Sequence, residues 1–502
     1  MNKLYKPDCV FEISWEVCNK VGGIYTVLSS KAQEMQHRFD RVVFIGPDLK
    51  DRSDIYFEEE EVLPLFRKGR WKIEGRPEVI LVTWNHLYPS RDAIYTQMWD
   101  HFRVESHAAY GDYDDCALFS YAAGQILEQI ILSGEIGLHP LVAHANEWQT
   151  VFFLLYLRIH CPQVATVFTT HATCIGRSIA GNGKPLYKEF FHYNGDQMAH
   201  ELNMVSKHSV EKHGAHVADC FTTVSELTSR ECHQLLEKSA DIVTPNGFND
   251  ADYKQVGRSK LKESIRRSLC EIVKDVLNVE FESRPFFICT SGRCEWHNKG
   301  IDIFIDSMYR LDKMISSLQS DTKPYVTAFV FVPFIKHENL SLAHVGVLFV
   351  PHYLDGYSIP ICSPYANLRP YLYYDLLSCM DISIYPSYYE PWGYTPLESC
   401  VMDVPTITTS LSGFGLWVKG HRGSACTSLR DGVCVIDRND TNTDEVIKQI
   451  TEQLLTYILC SDEQKIISKK NAKEIARTCD WKRFITYYEK AYDFALQSAK
   501  KR

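Results

Sequence analysis

The sequence predicts an α/β protein built from two doubly wound domains facing a cleft. Three observations carry this expectation. At 502 residues the chain exceeds what one small core organises. Short apolar runs alternate with amphipathic stretches over most of its length, the pattern of a parallel sheet with helices on both faces. The alternation stops over a charged stretch, residues 260–284, and then restarts. We therefore expect a first domain over 1–255, a second over 256–480, and a C-terminal helix over 481–502 that packs back on the first.

In the first half, strands are expected at VFEIS (10–14), RVVFIG (41–46), VILVTW (79–84), LVAHA (141–145), VATVFTT (164–170), CFTTV (220–224) and DIVTP (241–245). Helical patterns separate several of them, as at GIYTVLSSKAQEMQHRF (23–39) and SELTSRECHQLLEKS (225–239). In the second half the strand candidates are PFFICTS (285–291), VTAFVFV (326–332), VGVLFV (345–350), DISIYP (381–386), TITT (406–409) and GVCVID (432–437). The tail from Asp444 to Lys500 reads as mostly helical.

Composition is globular, 45% hydrophobic and 23% charged. A net charge of −9 offers no broad basic face and argues against a nucleic-acid partner. No segment reaches eighteen uninterrupted apolar residues, and MNKLYKPDCVFEISWEV holds no long apolar signal core. Seventeen cysteines lack CxxC pairs; Cys18, Cys220, Cys270, Cys289 and Cys379 lie in or beside apolar runs, as buried reduced thiols do. These features predict a soluble, cytoplasmic protein with no membrane partner.

Ligands of doubly wound sheets bind outside the carboxyl ends of the strands, and the unusual residues gather there. NKVGGIYTV (19–27) follows the first strand: Gly22 and Gly23 let backbone N–H groups approach an anion at a helix N-terminus, and Lys20 adds a positive charge. HANEW (144–148) and TTHATCIGR (169–177) place Glu147, His171 and Arg177 at strand ends. SGRCEWHNKG (291–300) sets Arg293 and Lys299 six residues apart in a loop that opens a helix, a pairing suited to a diphosphate. In YPSYYEPWGYTPLESC (385–400), Glu390 lies in a loop and Glu398 about a turn into the next helix, with backbone N–H groups around Gly393, Tyr394 and Thr395 forming a second anion cradle. SLSGFG (410–415) adds another glycine loop.

Three stretches invite chemistry and are set aside. GNGKP (181–185) lacks Walker A spacing, with Pro185 where Ser or Thr is required. GDYDDC (111–116) has acidic spacing that would suit a divalent metal, but no clear strand precedes it, and it reads as a solvated acidic loop. The three histidines of KHSVEKHGAH (207–216) form no tidy helical face.

FEISWEVCNKVGGIYTVLSSKA, HANEW, FTTHAT, FTTVSELT, TPNG, GRCEWHNKG, YPSYYEPWGYTPLESC and SLSGFG together resemble the glycogen synthases of the animal and fungal type and their bacterial relatives, in the family's order from about residue 10 to about residue 420. The resemblance implies the GT-B fold of two Rossmann-like domains and retaining transfer of glucose from UDP-glucose to the non-reducing end of an α-1,4-glucan, with no metal or other cofactor. It implies that Arg293 and Lys299 hold the diphosphate, that Glu390 is the carboxylate near the donor glucose, and that Glu398 is its companion. Lys20 and the Gly22–Gly23 turn approach from the other domain, His171 and Arg177 line the donor sugar site with Glu147 nearby, and Tyr373 stacks on the uracil.

The chain also departs from the family. It lacks the helical insertion that eukaryotic relatives use in tetramer assembly, which leaves a homo-oligomer open. The arginine-rich regulatory helix appears as DEQKIISKKNAKEIARTCDW (462–481): Lys465 and Lys469 keep charge, while Asp462, Glu463, Asn471 and Glu474 replace basic residues, so activation by glucose 6-phosphate is expected to be weak. The alternatives are an ADP-glucose-dependent synthase, which usually shows a KTGGL-like loop, and a catalytically silent glucan-binding protein. A phosphorylase-like enzyme would need a pyridoxal-phosphate lysine, for which there is no motif.

Overall fold

The computed structural model describes residues 5–136, 140–249, 259–281, 283–333, 338–351, 359, 363–423 and 425–502. The boundary expected at 255/256 lies outside them. The chain divides into two compact units: Met1–Asn182 with Glu189–Asn249 and Asp480–Arg502, and Gly183–Lys188 with Asp250–Cys479.

The first unit is built on nine strands: β1 Cys9–Ile13, β2 Arg41–Pro47, β3 Phe57–Val62, β4 Phe66–Trp71, β5 Glu78–Val82, β6 Leu141–Asn146, β7 Ala165–Thr170, β8 Cys220–Thr223 and β9 Ile242–Val243. Their spatial order is β3-β4-β5-β2-β1-β6-β7-β8-β9, parallel except for the pairings of β3 with β4 and of β4 with β5. Runs such as ATVFTT (β7) are buried at every position, as strands covered on both faces require. The β3–β4 hairpin has no counterpart in the predicted strands. Five of the six residues of FEEEEV are exposed, so apolar alternation is absent, and ion pairs of Glu59 with Arg67 and Glu60 with Arg70 stand in for it.

The unit closes with its last helix, Trp481–Ala499, which packs against β7, β8 and the Gly23–Arg38 helix. Trp481, Phe484, Ile485, Tyr488, Tyr492 and Leu496 are buried on it, and Trp481 Nε1 donates to Ser30 Oγ at 2.7 Å.

The second unit carries β10 Phe286–Ser291, β11 Val326–Phe331, β12 Leu340–Ser341, β13 Val345–Val350, β14 Ile382–Ile384, β15 Thr406–Thr409 and β16 Val433–Ile436 in the order β12-β13-β11-β10-β14-β15-β16. Only the short β12 runs antiparallel. Part of the charged stretch where the strand pattern paused is an amphipathic helix, Ser259–Leu277, burying Ile265, Leu269, Ile272 and Val273.

Strand order reverses once in each sheet: β1 lies between β2 and β6, and β10 lies between β11 and β14. Loops leaving the two central strands there diverge to opposite faces and open a crevice at the carboxyl ends. The loops in question are 14–22 and 147–150 in the first unit, and 292–300 and 385–393 in the second.

Candidate active site

In the first unit, the turn after β1 leads directly into the Gly23–Arg38 helix with Gly22 as its N-cap. A carboxylate of the chain itself meets this helix N-terminus: Glu16 Oε2 accepts from Gly22 N at 2.9 Å and Tyr25 N at 2.7 Å. A carboxylate is favoured at a helix N-terminus. Lys20 is exposed, its ammonium 5.8 Å from the Tyr25 ring centre.

β6 and β7 deliver Glu147 and His171 side by side. Glu147 Oε1 accepts from His171 N at 2.7 Å. Glu147 holds φ at 68°, a conformation that costs a residue with a side chain about 1–3 kcal/mol and persists only where its surroundings enforce it. Burial raises its carboxyl to about 8; the nearby Glu211 adds to this, and Arg177 with the N–H groups of His171 and Ala172 opposes it. Two further buried carboxylates brace the same loop. Glu211 accepts from Thr170 Oγ1 and from Cys174 N, and Glu231 accepts from Thr173 Oγ1. Thr173 Oγ1 also caps the Cys174–Gly181 helix, on whose first turn Arg177 stands.

His171 is buried and neutral. Burial lowers its pKa to about 3, with the charges of Lys31 and His144 acting the same way and Glu12 opposing. Its Nε2 lies 3.0 Å from Asn146 Oδ1. Behind Asn146 lies a closed polar network: Lys31 Nζ meets Glu12 Oε1 at 2.6 Å, both side chains 0% exposed, and lies 4.1 Å from the Tyr488 ring centre.

In the second unit, Lys299 and Glu390 come together as an ion pair at 2.5 Å. Two ties hold their loops. Asn298 O accepts from Tyr388 N and Tyr389 N at 2.9 and 3.2 Å, and Gly300 comes so close to Pro386 O that a Cβ would lie 2.0 Å from it. Gly300 also has φ 68°, so a residue without a side chain is required. On the other side Glu390 forms a bridge with Ser412: Gly413 N donates to Glu390 O at 3.1 Å, and Ser412 Oγ donates to Trp392 O at 2.9 Å. The Tyr394–Val401 helix starts at Gly393 (φ 108°), which has no side chain to cap it, with Tyr394 and Thr395 in its first turn.

Three expected site residues have partners within the fold. Arg293 is 54% exposed and pairs with Glu295 at 3.2 Å. Glu398 is buried and accepts from Tyr374 Oη at 2.8 Å. Tyr373, expected to stack on the uracil, is buried: its hydroxyl lies 2.5 Å from Ser291 Oγ, and Phe331 and Tyr374 flank the ring. The apolar side of the Tyr373–Leu377 helix turns it inward.

GDYDDC is not a solvated loop either. It runs into the Tyr113–Leu132 helix, with Asp112 bound to Lys207, Asp114 to Arg91 and Tyr95, and Asp115 to Trp84 and Tyr88.

Comparison with known proteins bears on both crevices. The family model described as Glycogen synthase matches residues 12–348 and 334–501. The chain belongs to the glycogen synthase family. It is 26% identical to the human liver glycogen [starch] synthase over 98% of this chain and 84% of that one, and equally so to the Neurospora crassa glycogen [starch] synthase over the same shares. Among solved structures it resembles the catalytic domain of Arabidopsis thaliana starch synthase IV (TM-score 0.61, 15% identity, 98% of this chain and 100% of that one). It also resembles an E. coli trehalose-6-phosphate structure bound with UDP-2-fluoro glucose (TM-score 0.54, 10% identity, 97% and 99%). The fold is thus GT-B, and this glycogen synthase family member is a glycosyltransferase of the glycogen synthase type.

Sequence reasoning missed Glu12, Lys31, Asn146 and Arg438. The signal for the first was a lone carboxylate inside the apolar run VFEIS. Arg438 is buried beneath the Glu390 loop, donates to Pro386 O and faces the Tyr388 ring at 5.4 Å; burial lowers its pKa to about 10. GNGKP also acquires a place: residues 183–188 belong to the second unit, Leu186 N donating to Tyr388 Oη at 2.8 Å and Lys188 N to Asp440 Oδ2 at 2.8 Å. The Asp462–Thr478 helix of this glycogen synthase relative lines a cavity of about 440 Å³ with Lys469, Lys470, Lys473 and Arg477, completed by Lys262.

Proposed function

We propose that the protein elongates glycogen by moving glucose from UDP-glucose to the non-reducing 4-OH of an α-1,4-glucan, with retention and without a metal ion. The observation that carries this reading is the Lys299–Glu390 pair, set beside the uncapped Tyr394–Val401 helix at the strand-order reversal of the second unit. Cleaving the glycosyl–phosphate bond leaves negative charge on the diphosphate and positive charge at the anomeric carbon. Lys299, Arg293 and the N–H groups at Tyr394 and Thr395 meet the first; one such preorganised donor is worth about 3–4 kcal/mol in rate. When the diphosphate engages Lys299, the ammonium is drawn from Glu390, whose carboxylate then faces the glucose and supports its oxocarbenium-like state.

In the same-face route, the C1–O bond to the diphosphate breaks with its electron pair on the phosphate oxygen. The acceptor O4 bonds C1 from that face, and its proton passes to the leaving oxygen. Configuration is retained. Lys20, His171, Arg177 and Glu147 are the further groups assigned to the donor sugar, Glu398 anchors the Tyr394–Val401 helix through Tyr374, and Tyr373 is assigned to the uracil side.

KVGGIYTV, in place of a KTGGL-like loop, supports UDP-glucose. ADP-glucose is the second reading, favoured by the structural likeness to a starch synthase solved with ADP. Sixteen cysteines outside any disulfide among the described residues support a cytoplasmic setting.

The test is transfer of labelled glucose to glycogen from UDP-glucose and ADP-glucose in competition, with excess EDTA, and with or without glucose 6-phosphate. We expect transfer from UDP-glucose that ignores EDTA and responds weakly to glucose 6-phosphate. Glu390→Ala should abolish transfer and leave glycogen binding intact. Loss of transfer in EDTA would overturn the metal-free reading. A preference for ADP-glucose would overturn the donor, and binding of glycogen without transfer from either donor would leave a glucan-binding protein.

A further inference from the structure

The network behind His171 fixes more than its position. Glu12 is fully buried on β1; burial raises its pKa, but Lys31 and His144 outweigh that, and the group stays an ionised, acceptor-only carboxylate. Asn146 Nδ2 donates to Glu12 Oε1 at 3.0 Å and to Ile13 O at 3.3 Å. The opposite amide orientation would set Oδ1 against these two acceptors. Oδ1 therefore faces His171 Nε2 at 3.0 Å, and an acceptor there requires Nε2 to carry the proton. His171 Nδ1 is left with the lone pair and with no hydrogen-bond partner among the described residues.

We propose that Asn146, oriented by the Glu12–Lys31 ion pair, is a positioning residue that holds His171 as the Nε2–H tautomer, so that Nδ1 acts as a hydrogen-bond acceptor toward a hydroxyl of the donor sugar. This rests on the reading that His171 meets the donor glucose. The titratable and charged groups around His171 are Glu147 on its main-chain N–H, Glu12 and Lys31 behind Asn146, His144 on β6, and Arg177 beside Glu147. With a neutral amide at 146 the imidazole stays neutral and the same tautomer persists across the working pH range. Without that amide the Nε2 proton loses its acceptor, and the Nδ1–H tautomer, which cannot accept at Nδ1, becomes accessible.

The experiment compares wild type with Asn146→Ala, reading kcat/KM for UDP-glucose and the affinity for UDP, which lacks the sugar. Asn146→Ala removes the acceptor at Nε2 without adding charge beside Glu12. It should lower kcat/KM for UDP-glucose, spare UDP affinity, and add nothing to the loss caused by His171→Ala. Nitrogen-15 NMR of histidine-labelled wild type, with His171 assigned by its absence from His171→Ala, should show the Nε2–H tautomer and serves if the alanine variant fails to fold. Wild-type kcat/KM in Asn146→Ala, equal loss of UDP affinity, additive losses with His171→Ala, or an Nδ1–H imidazole at 171 would each overturn the relay. Unaltered turnover in His171→Ala would instead overturn the reading that His171 meets the sugar.

Discussion

At Glu147 two unfavourable choices coincide: a positive φ on a residue with a side chain, and a carboxyl whose burial raises its pKa to about 8. They are linked, because the turn at 147 is what aims the carboxyl at the His171 N–H. A folded-state pKa above the unfolded value of about 4.5 means that the folded protein holds this proton more tightly. The contribution is fully present below pH 4.5 and is lost as pH rises through about 8. Glu147→Gln keeps the shape and removes the titration. The melting temperature of wild type should therefore fall relative to Glu147→Gln between pH 5 and pH 8.5, with the difference smallest at the acid end. Parallel curves would mean that Glu147 is ionised in the fold.

Among the elements, the glycine-rich loops hold one another rather than standing alone. Ser412 Oγ accepts from Gly415 N at 3.4 Å, capping the Gly413–Arg422 helix, and donates to Trp392 O at 2.9 Å, fastening the Glu390 loop. Ser412→Ala removes both bonds from a buried position and should cost about 1–3 kcal/mol. Since Glu390 lies two residues from Trp392, kcat should fall while acceptor binding persists; thermal unfolding and initial rates read the two effects. This mutual fastening also explains what the sequence could convey. Thirteen strands were legible from apolar runs because both sheet faces are covered. The β3–β4 hairpin was not, since its order comes from cross-strand charges at exposed positions. Lys299 and Glu390 were legible as members of conspicuous loops, but their pairing across 91 residues was not. The burial of Tyr373 was not legible, because stacking and burial draw on the same aromatic face. Lys31 and Asn146 were hidden because each looks ordinary within its own element; Glu12 stood out as a lone carboxylate in an apolar run, and only the closed network gives the three a role.

For the whole molecule, the chain's last helix is structural to its first strands. The Trp481–Ala499 helix returns to the first unit and covers the buried ion pair: the Tyr488 ring lies over Lys31, and Tyr492 Oη lies 3.1 Å from His144 Nδ1. A chain ending at Asp480 would expose Lys31 and Glu12 to water and lose the burial of Trp481, Phe484, Ile485, Tyr488, Tyr492 and Leu496. At about 1.5–3 kcal/mol for each large side chain, the loss is comparable to the 5–15 kcal/mol that holds a domain together. The second unit keeps its own core around Ile288, Phe304, Val330 and Ile407, to which this helix contributes nothing. Truncation after Asp480 should therefore unfold the two units unequally. Hydrogen exchange read by mass spectrometry should lose protection in peptides covering Cys9–Ile13, Leu141–Asn146 and Ala165–Thr170, while those covering Phe286–Ser291 and Thr406–Thr409 stay protected. Protection retained in all five would mean that the first sheet stands without its last helix. Protection lost in all five would mean that the units fold as one cooperative body.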